Sequence, residues 1–239
     1  MDPCPELANR AGIWRYDLNK RGQTIANGER FATGIRNAVA IAFEPLSNNL
    51  YVVQHGRDML FDNWPELFST AKNAETPAEE LFLVNRGDDF GWPYCYFDPE
   101  LKHKVLAPEY GGDGKTVGRC AGKKGNVGYF PGHWAPNSLL FYTGSMLPSK
   151  YKNGAFIVFH GSWNRAPLPN DGFRVVFQPM SGGRADGNFE VIVGGFYADG
   201  KATELGGRPM ALAQGRNGEL YLSDDSKGRI WRISYAGSS

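Results

Sequence analysis

No stretch of this chain approaches the run of about 18 apolar residues that a membrane-spanning helix needs. A charge of one sign is missing too. The chain has 26 basic and 25 acidic residues, a net of +1, so nothing points to nucleic acid or to an anionic membrane surface. Cysteine is scarce, with only Cys4, Cys95 and Cys120 and no CxxC, so the spacing offers no zinc site. GxSxG, HExxH and P-loop motifs are absent, and no GxGxxG follows a predicted strand. This removes the commonest hydrolase, metalloprotease and nucleotide-binding signatures. Helical periodicity is missing over almost the whole length. The opening MDPCPELANR carries no apolar segment, so no signal peptide is expected within these residues.

Glycine and aromatic residues are what the chain has. Its 239 residues include 31 glycines and are 13% aromatic, a balance that suits many short strands joined by tight turns. With 41% hydrophobic and 21% charged residues, the composition is that of an ordinary globular protein rather than a disordered one. Cys95 and Cys120 bracket a Gly- and Lys-rich loop. A disulfide there would close about 25 residues, worth roughly 3 kcal/mol in the chain-entropy model, and would favour an oxidising compartment. Three free thiols are the alternative.

One pattern occurs three times. Arg36-Asn37 precedes AVAIAFEP and NLYVV, which end in Gln54-His55-Gly56-Arg57-Asp58. His133 precedes APNSLLFY and GAFIVF, which end in His160-Gly161-Ser162-Trp163-Asn164-Arg165. Arg208 precedes PMALAQGRNG and ELYL, which end in Ser223-Asp224-Asp225. Repeats of about 40–50 residues that each supply a few strands predict an all-β fold, a β-propeller. Polar residues flanking equivalent strands should then converge on one mouth.

The boundaries follow from the strand runs. GIWRYDL (12–18) and RFATGI (30–35) are the ends of a blade near 12–35. One blade covers 36–93, with a short helix expected at 65–71. Residues 96–131, rich in Gly and Lys and without periodicity, read as a long insertion. A second blade covers 133–198 and a third 206–235. About three blades are therefore present, whereas closed propellers usually need at least about four. Closing the ring takes either upstream blades or a second copy of the chain, as a homodimer.

Taken together, GIRNAVAIAFEP, GDDFGWPYC, HWAP, HGSWNR and the closing GRPMALAQGRNGELYLSDDSKGRIWRI resemble the sorbosone dehydrogenase-like branch of the soluble pyrroloquinoline quinone (PQQ) dependent aldose dehydrogenases, over nearly the whole chain. The resemblance implies a six-bladed propeller that binds PQQ and calcium at the channel mouth. Such a protein oxidises an aldose sugar or sugar aldehyde, passes the electrons to an external acceptor and works in the periplasm or outside the cell. It also implies that the general-base histidine lies upstream of the Arg-Asn motif. Only 35 residues precede Arg36, so no catalytic residue is assigned here.

By the same resemblance, cofactor contacts fall on Arg36, Asn37, His55, His133, His160, Trp163 and Arg208, and the carbonyls of Gly56 and Arg57 are the calcium ligands. PQQ carries three carboxylates, which guanidinium groups can pair in bidentate fashion, and calcium prefers oxygen donors. The family often has a second arginine where this chain has Met210. Each residue also has a plain structural reading: a surface arginine, a turn asparagine, a histidine packed beside a strand. Trp92 reads as a packing aromatic, and Asp88-Asp89 and Asp224-Asp225 as solvated turn carboxylates. A transition-metal cluster of His55, His133 and His160 is the weaker alternative for the histidines. Met210 and the missing base motivate a second functional reading, a non-catalytic propeller module that binds a glycan or a protein.

Overall fold

The computed structural model describes residues 1–162, 164–197 and 206–237. Its strands arise where β-branched and aromatic residues cluster. β1 (Gly12–Arg15) and β2 (Glu29–Thr33) form an antiparallel pair. β3 (Ala38–Phe43) and β4 (Leu50–Gln54) follow, then the short helices α1 (Leu60–Asn63) and α2 (Thr70–Glu75), then β5 (Glu79–Val84). A hairpin of β6 (Cys95–Asp98) and β7 (His103–Leu106) precedes β8 (Gly128–Phe130). The chain continues through β9 (Pro136–Phe141), β10 (Gly154–Phe159), β11 (Arg174–Ser181), β12 (Arg184–Ala185) and β13 (Glu190–Val193). It ends in β14 (Pro209–Gln214), β15 (Leu220–Asp224) and β16 (Arg229–Ile233). The fold is all-β.

Three antiparallel sheets carry the repeated pattern, ordered β3-β4-β5-β8, β9-β10-β11 with β12 and β13 both on β11, and β14-β15-β16. In the first two, the second strand is buried along its entire length because a sheet packs on each of its faces. Their sequences, LYVVQ and GAFIVF, are nearly continuous apolar runs for that reason. Neighbouring sheets share cores in chain order. Ile13 and Phe31 of the β1–β2 pair pack on Val52, Phe82 and Phe90. Tyr51, Val53, Leu81 and Phe130 meet Leu139, Ile157 and Phe159 of the next sheet, with Phe130 and Phe159 ring centres 5.0 Å apart. Phe156, Val158 and Phe177 then pack on Leu220 and Leu222. Among the described residues the last strand pairs only with β15, and its Ile230 is 76% exposed.

Three expectations need correction. Residues 96–131 are not a featureless insertion: β8 hydrogen-bonds to β5 and completes the first sheet, and the β6–β7 hairpin packs its Tyr96 and Val105 with Leu60 and Phe68. In place of the expected helix at 65–71 there are two, one ending before that span and one overlapping only its last two residues. α1 stops just before Trp64-Pro65, since the residue ahead of a proline is pushed out of helical conformation, and α2 starts after Ser69, whose Oγ accepts the Lys72 N–H. Asp224 is not solvated but buried, and its Oδ1 accepts the backbone N–H groups of Arg208, Ser226 and Lys227. Cys95 and Cys120 are disulfide-bonded, which ties the end of the first repeat to residues 118–122, and Cys4 is a free thiol.

Candidate cofactor site

In an antiparallel pair, the start of one strand and the end of the next lie at the same edge. The segments before β3, β9 and β14, and those after β4, β10 and β15, therefore share an edge in each of the three sheets. β3 lies along β9 and β9 along β14, so the three edges adjoin. Side chains join them. His55 Nε2 is 2.9 Å from Asn137 Oδ1, and Asn137 Nδ2 donates to Met210 Sδ at 3.0 Å. One chain of contacts thus runs across all three sheets.

At the first sheet, the Arg36 guanidinium donates to the Gly56 carbonyl at 2.5 Å and to Asp58 Oδ2 at 3.2 Å. It also lies over the Trp92 ring, 5.7 Å from its centre, so Trp92 does more than pack. Asn37 is exposed, and its carbonyl accepts the His55 N–H at 3.2 Å. The Arg57 side chain is buried away from this edge, with both guanidinium Nη atoms on the Glu109 carboxylate at 2.7 and 2.8 Å.

The pKa values of the histidines are shifted in different directions for reasons of geometry. His133 is buried, with Nδ1 3.1 Å from Asp58 Oδ1 and Nε2 2.8 Å from the Asn73 carbonyl. Both nitrogens face acceptors, which suits an imidazolium. Burial alone would lower its pKa, but the Asp58 and Asn73 hydrogen bonds outweigh it and the pKa is raised. Asp58 responds in kind. Burial would raise its carboxyl, yet His133, Asn164 (Nδ2 at 2.7 Å) and Arg36 hold it at about 2.

His55 is lowered by burial, against the Asn137 and Pro136 acceptors at its Nε2. It stays neutral near pH 7 with its proton on Nε2. His160 is lowered by burial and by the Arg208 charge, against Asp225. Its Nε2 donates to Asp225 Oδ2 at 2.9 Å while Nδ1 accepts from Arg208 Nη2 at 2.9 Å. Arg208 also donates to the Gly161 carbonyl at 2.9 Å. Gly161 has φ +78°, and a Cβ there would stand 2.4 Å from the Phe173 ring, so this turn tolerates only glycine.

The structure thus brings Arg36, Asn37, His55, Gly56, His133, His160 and Arg208 to one edge. The Arg57 side chain leaves it, and Trp163 lies outside the described residues. The sequence reading missed four polar partners: Asp58, Glu79, Asn137 and Asn164. Glu79 opens β5 and is buried. Its Oε2 accepts the Gly56 N–H at 2.7 Å and its Oε1 the Ala135 N–H at 3.0 Å. Burial pushes its carboxyl up to about 7 despite these two donors. The available signal was the pair Glu79-Glu80 at the head of an otherwise apolar strand. Among the described residues, no three His, Cys, Asp or Glu side chains gather closely enough to hold a metal.

Comparison with known proteins gives the same fold. The chain is 29% identical over 211 residues to an uncharacterized protein of Borreliella burgdorferi, covering 87% of this chain and 49% of that protein. It superposes on a calcium structure of a Trichoderma reesei carbohydrate-active enzyme of family AA12 with a TM-score of 0.76 and 20% identity, covering 95% of this chain and 61% of that one. The holo form of the pyranose dehydrogenase PQQ domain from Coprinopsis cinerea matches with a TM-score of 0.71 and 20% identity, covering 96% and 62%. The chain therefore spans about half the length of the curated relative and about three-fifths of each of these two structures. A family model, TrAA12-like, matches residues 6–236. On that match the chain belongs to the TrAA12-like family of pyrroloquinoline quinone-dependent oxidoreductases.

Proposed function

We propose that the whole protein oxidises an aldose sugar or sugar aldehyde by hydride transfer to PQQ, and that this chain forms the C-terminal half of the cofactor site. The observation that carries this reading is the convergence of Arg36, His55, Asn137, Met210 and Arg208, from three successive sheets, on one edge. In this reading residues 36–93, 133–198 and 206–235 are three blades of a larger propeller, closed by upstream blades or by a second copy of the chain. The substrate is a sugar, the electrons go to an external acceptor, and the setting is periplasmic or extracellular. The sorbosone-like branch is the part of the family that the motifs favour.

When bound, PQQ supplies the hydride-accepting quinone, and the protein supplies position and electrostatics. The residues present suit its acidic rim. Arg36 and Arg208 are both partly exposed guanidinium groups. Arg208 is held in orientation by the neutral Gly161 carbonyl, which leaves its positive charge for a carboxylate, whereas Arg36, also on the Gly56 carbonyl, already shares its charge with Asp58. Asp58 holds His133 towards its protonated form. His55 and His160, held neutral, add hydrogen-bonding edges without further charge. In this reading Asn37, exposed beside Arg36, binds a cofactor or sugar oxygen.

Calcium fits less well. The Gly56 carbonyl accepts a hydrogen bond from the Arg36 guanidinium, so a cation already faces it. Binding through the Gly56 and Arg57 carbonyls would require Arg36 to turn away.

The test is a titration of the chain, and of the full-length protein, with PQQ in the presence and absence of calcium, followed by the quinone absorbance. Saturable binding that Arg208→Gln weakens supports the reading, and PQQ-stimulated oxidation of an aldose by the full-length protein completes it. No PQQ binding by the full-length protein overturns it. Glycan or protein binding in its place would favour the non-catalytic module.

A further inference from the structure

We propose that Glu79 is the positioning residue that locks the His55–Arg57 loop and the His133–Asn137 loop together as one site. What the loops then bind rests on the reading above, but the lock itself does not.

The two loops belong to different sheets and are far apart in sequence. Glu79 sits between them at the head of β5, 2% exposed, with one carboxylate oxygen on each loop. Each residue whose amide it holds is in turn attached, through its own carbonyl, to a site residue. The Gly56 carbonyl accepts from Arg36, and the Ala135 carbonyl accepts the His160 N–H at 2.9 Å. One carboxyl group therefore fixes the placement of the Arg36 side chain and the His160 backbone through two residues, Gly56 and Ala135.

Strand stability does not account for a glutamate here. A buried carboxyl is costly where the strand needs only an apolar or β-branched residue. Its neighbour Glu80 has the usual compensation, a buried ion pair with Lys104 at 3.2 Å. Glu79 instead spends its oxygens on backbone N–H groups of two loops, and the charge-bearing groups facing it are His133 and Asp58. The second loop also needs an external hold. His133 and Ala135, neither of them glycine, have φ +61° and +55°, a conformation that persists only when surrounding contacts enforce it.

Amide hydrogen exchange on the whole chain tests the lock. In Glu79→Ala, the Gly56 and Ala135 amides should exchange at least about tenfold faster, while the Val52 and Val158 amides within the sheets keep their protection. Glu79→Gln retains one carbonyl oxygen and should leave one of the two amides protected. If the alanine variant does not fold, the glutamine variant decides. Unchanged exchange at Gly56 and Ala135, or equal acceleration at all four amides, overturns the proposal. PQQ affinity should fall in the same order, most for alanine and less for glutamine. A wild-type protein that fails to bind PQQ would sink the functional reading and leave the exchange result to decide this one.

Discussion

Asp58 Oδ1 and His133 Nδ1 stand 3.1 Å apart, although 75 residues separate them and they come from the edges of two different sheets. This pair, with Arg36 and Asn164 on the same carboxylate, joins the first repeat to the second.

The pair makes stability depend on pH with a definite sign. The folded pKa of His133 is raised, so its contribution is complete below about 6.5 and is lost as pH rises through the higher folded value. Asp58 contributes above its ordinary range and loses that contribution as pH falls towards about 2. Asp58→Asn should cost about 1 kcal/mol near pH 6, since the carboxylate is partly solvated. It should also flatten the loss of stability between pH 6 and 8. Urea midpoints at both pH values check this, and an unchanged slope would show that His133 is neutral in the fold.

Glu79 acts over a neighbouring window. Its folded pKa of about 7 lies above the ordinary value of 4.5, so the folded chain retains a proton that the unfolded chain has released. Its contribution is complete below about pH 4.5 and falls as pH rises through about 7, by no more than roughly 3 kcal/mol. Glu79→Gln should remove that slope. Urea midpoints between pH 5 and 8 measure it, and a variant as pH-dependent as the wild type would exclude the assignment.

Arg208 holds down the pKa of His160 through its charge, and its Nη2 donates to Nδ1. In Arg208→Gln the His160 pKa should rise, because Asp225 remains and the cation is gone. NMR titration of the ring protons reads this directly. The same substitution should weaken binding of a carboxylate-bearing cofactor by about tenfold or more.

The Cys95–Cys120 disulfide closes a loop with a sequence separation of 25. Reducing it should lower stability by about 3 kcal/mol, seen as a drop in the urea midpoint with reductant. Replacing Cys4 with serine should leave the midpoint unchanged within about 0.5 kcal/mol.

Much of the fold was legible because it is written in continuous runs. LYVVQ and GAFIVF are buried on both faces, so nearly every residue is apolar and the strand is visible without its partners. The parts that escaped are short or depend on distant pairing. β8 has three residues, too few for a period, and exists because β5 offers it a free edge. The helix boundary at 60–75 turned on Pro65 and on the Ser69 cap, two local signals that the composition of 65–71 outweighed.

The site divides in the same way. Its cations and histidines could be named from repeated positions flanking equivalent strands, because strand order alone sends those positions to one edge. The residues that hold them were not visible. Asp58 reads as one more charged residue in a polar loop, and Glu79 as the polar start of a strand. Their roles come from which loops lie within 3.1 Å of their oxygens. By itself the sequence determined the all-β class, the repeated edge and the family, since these rest on local pattern and on motif order. Only the tertiary structure decided which histidine has its pKa raised, which loops the carboxylates of Asp58 and Glu79 bind and where Arg57 turns, since burial and long-range hydrogen bonds set these and neither exists until the sheets have packed.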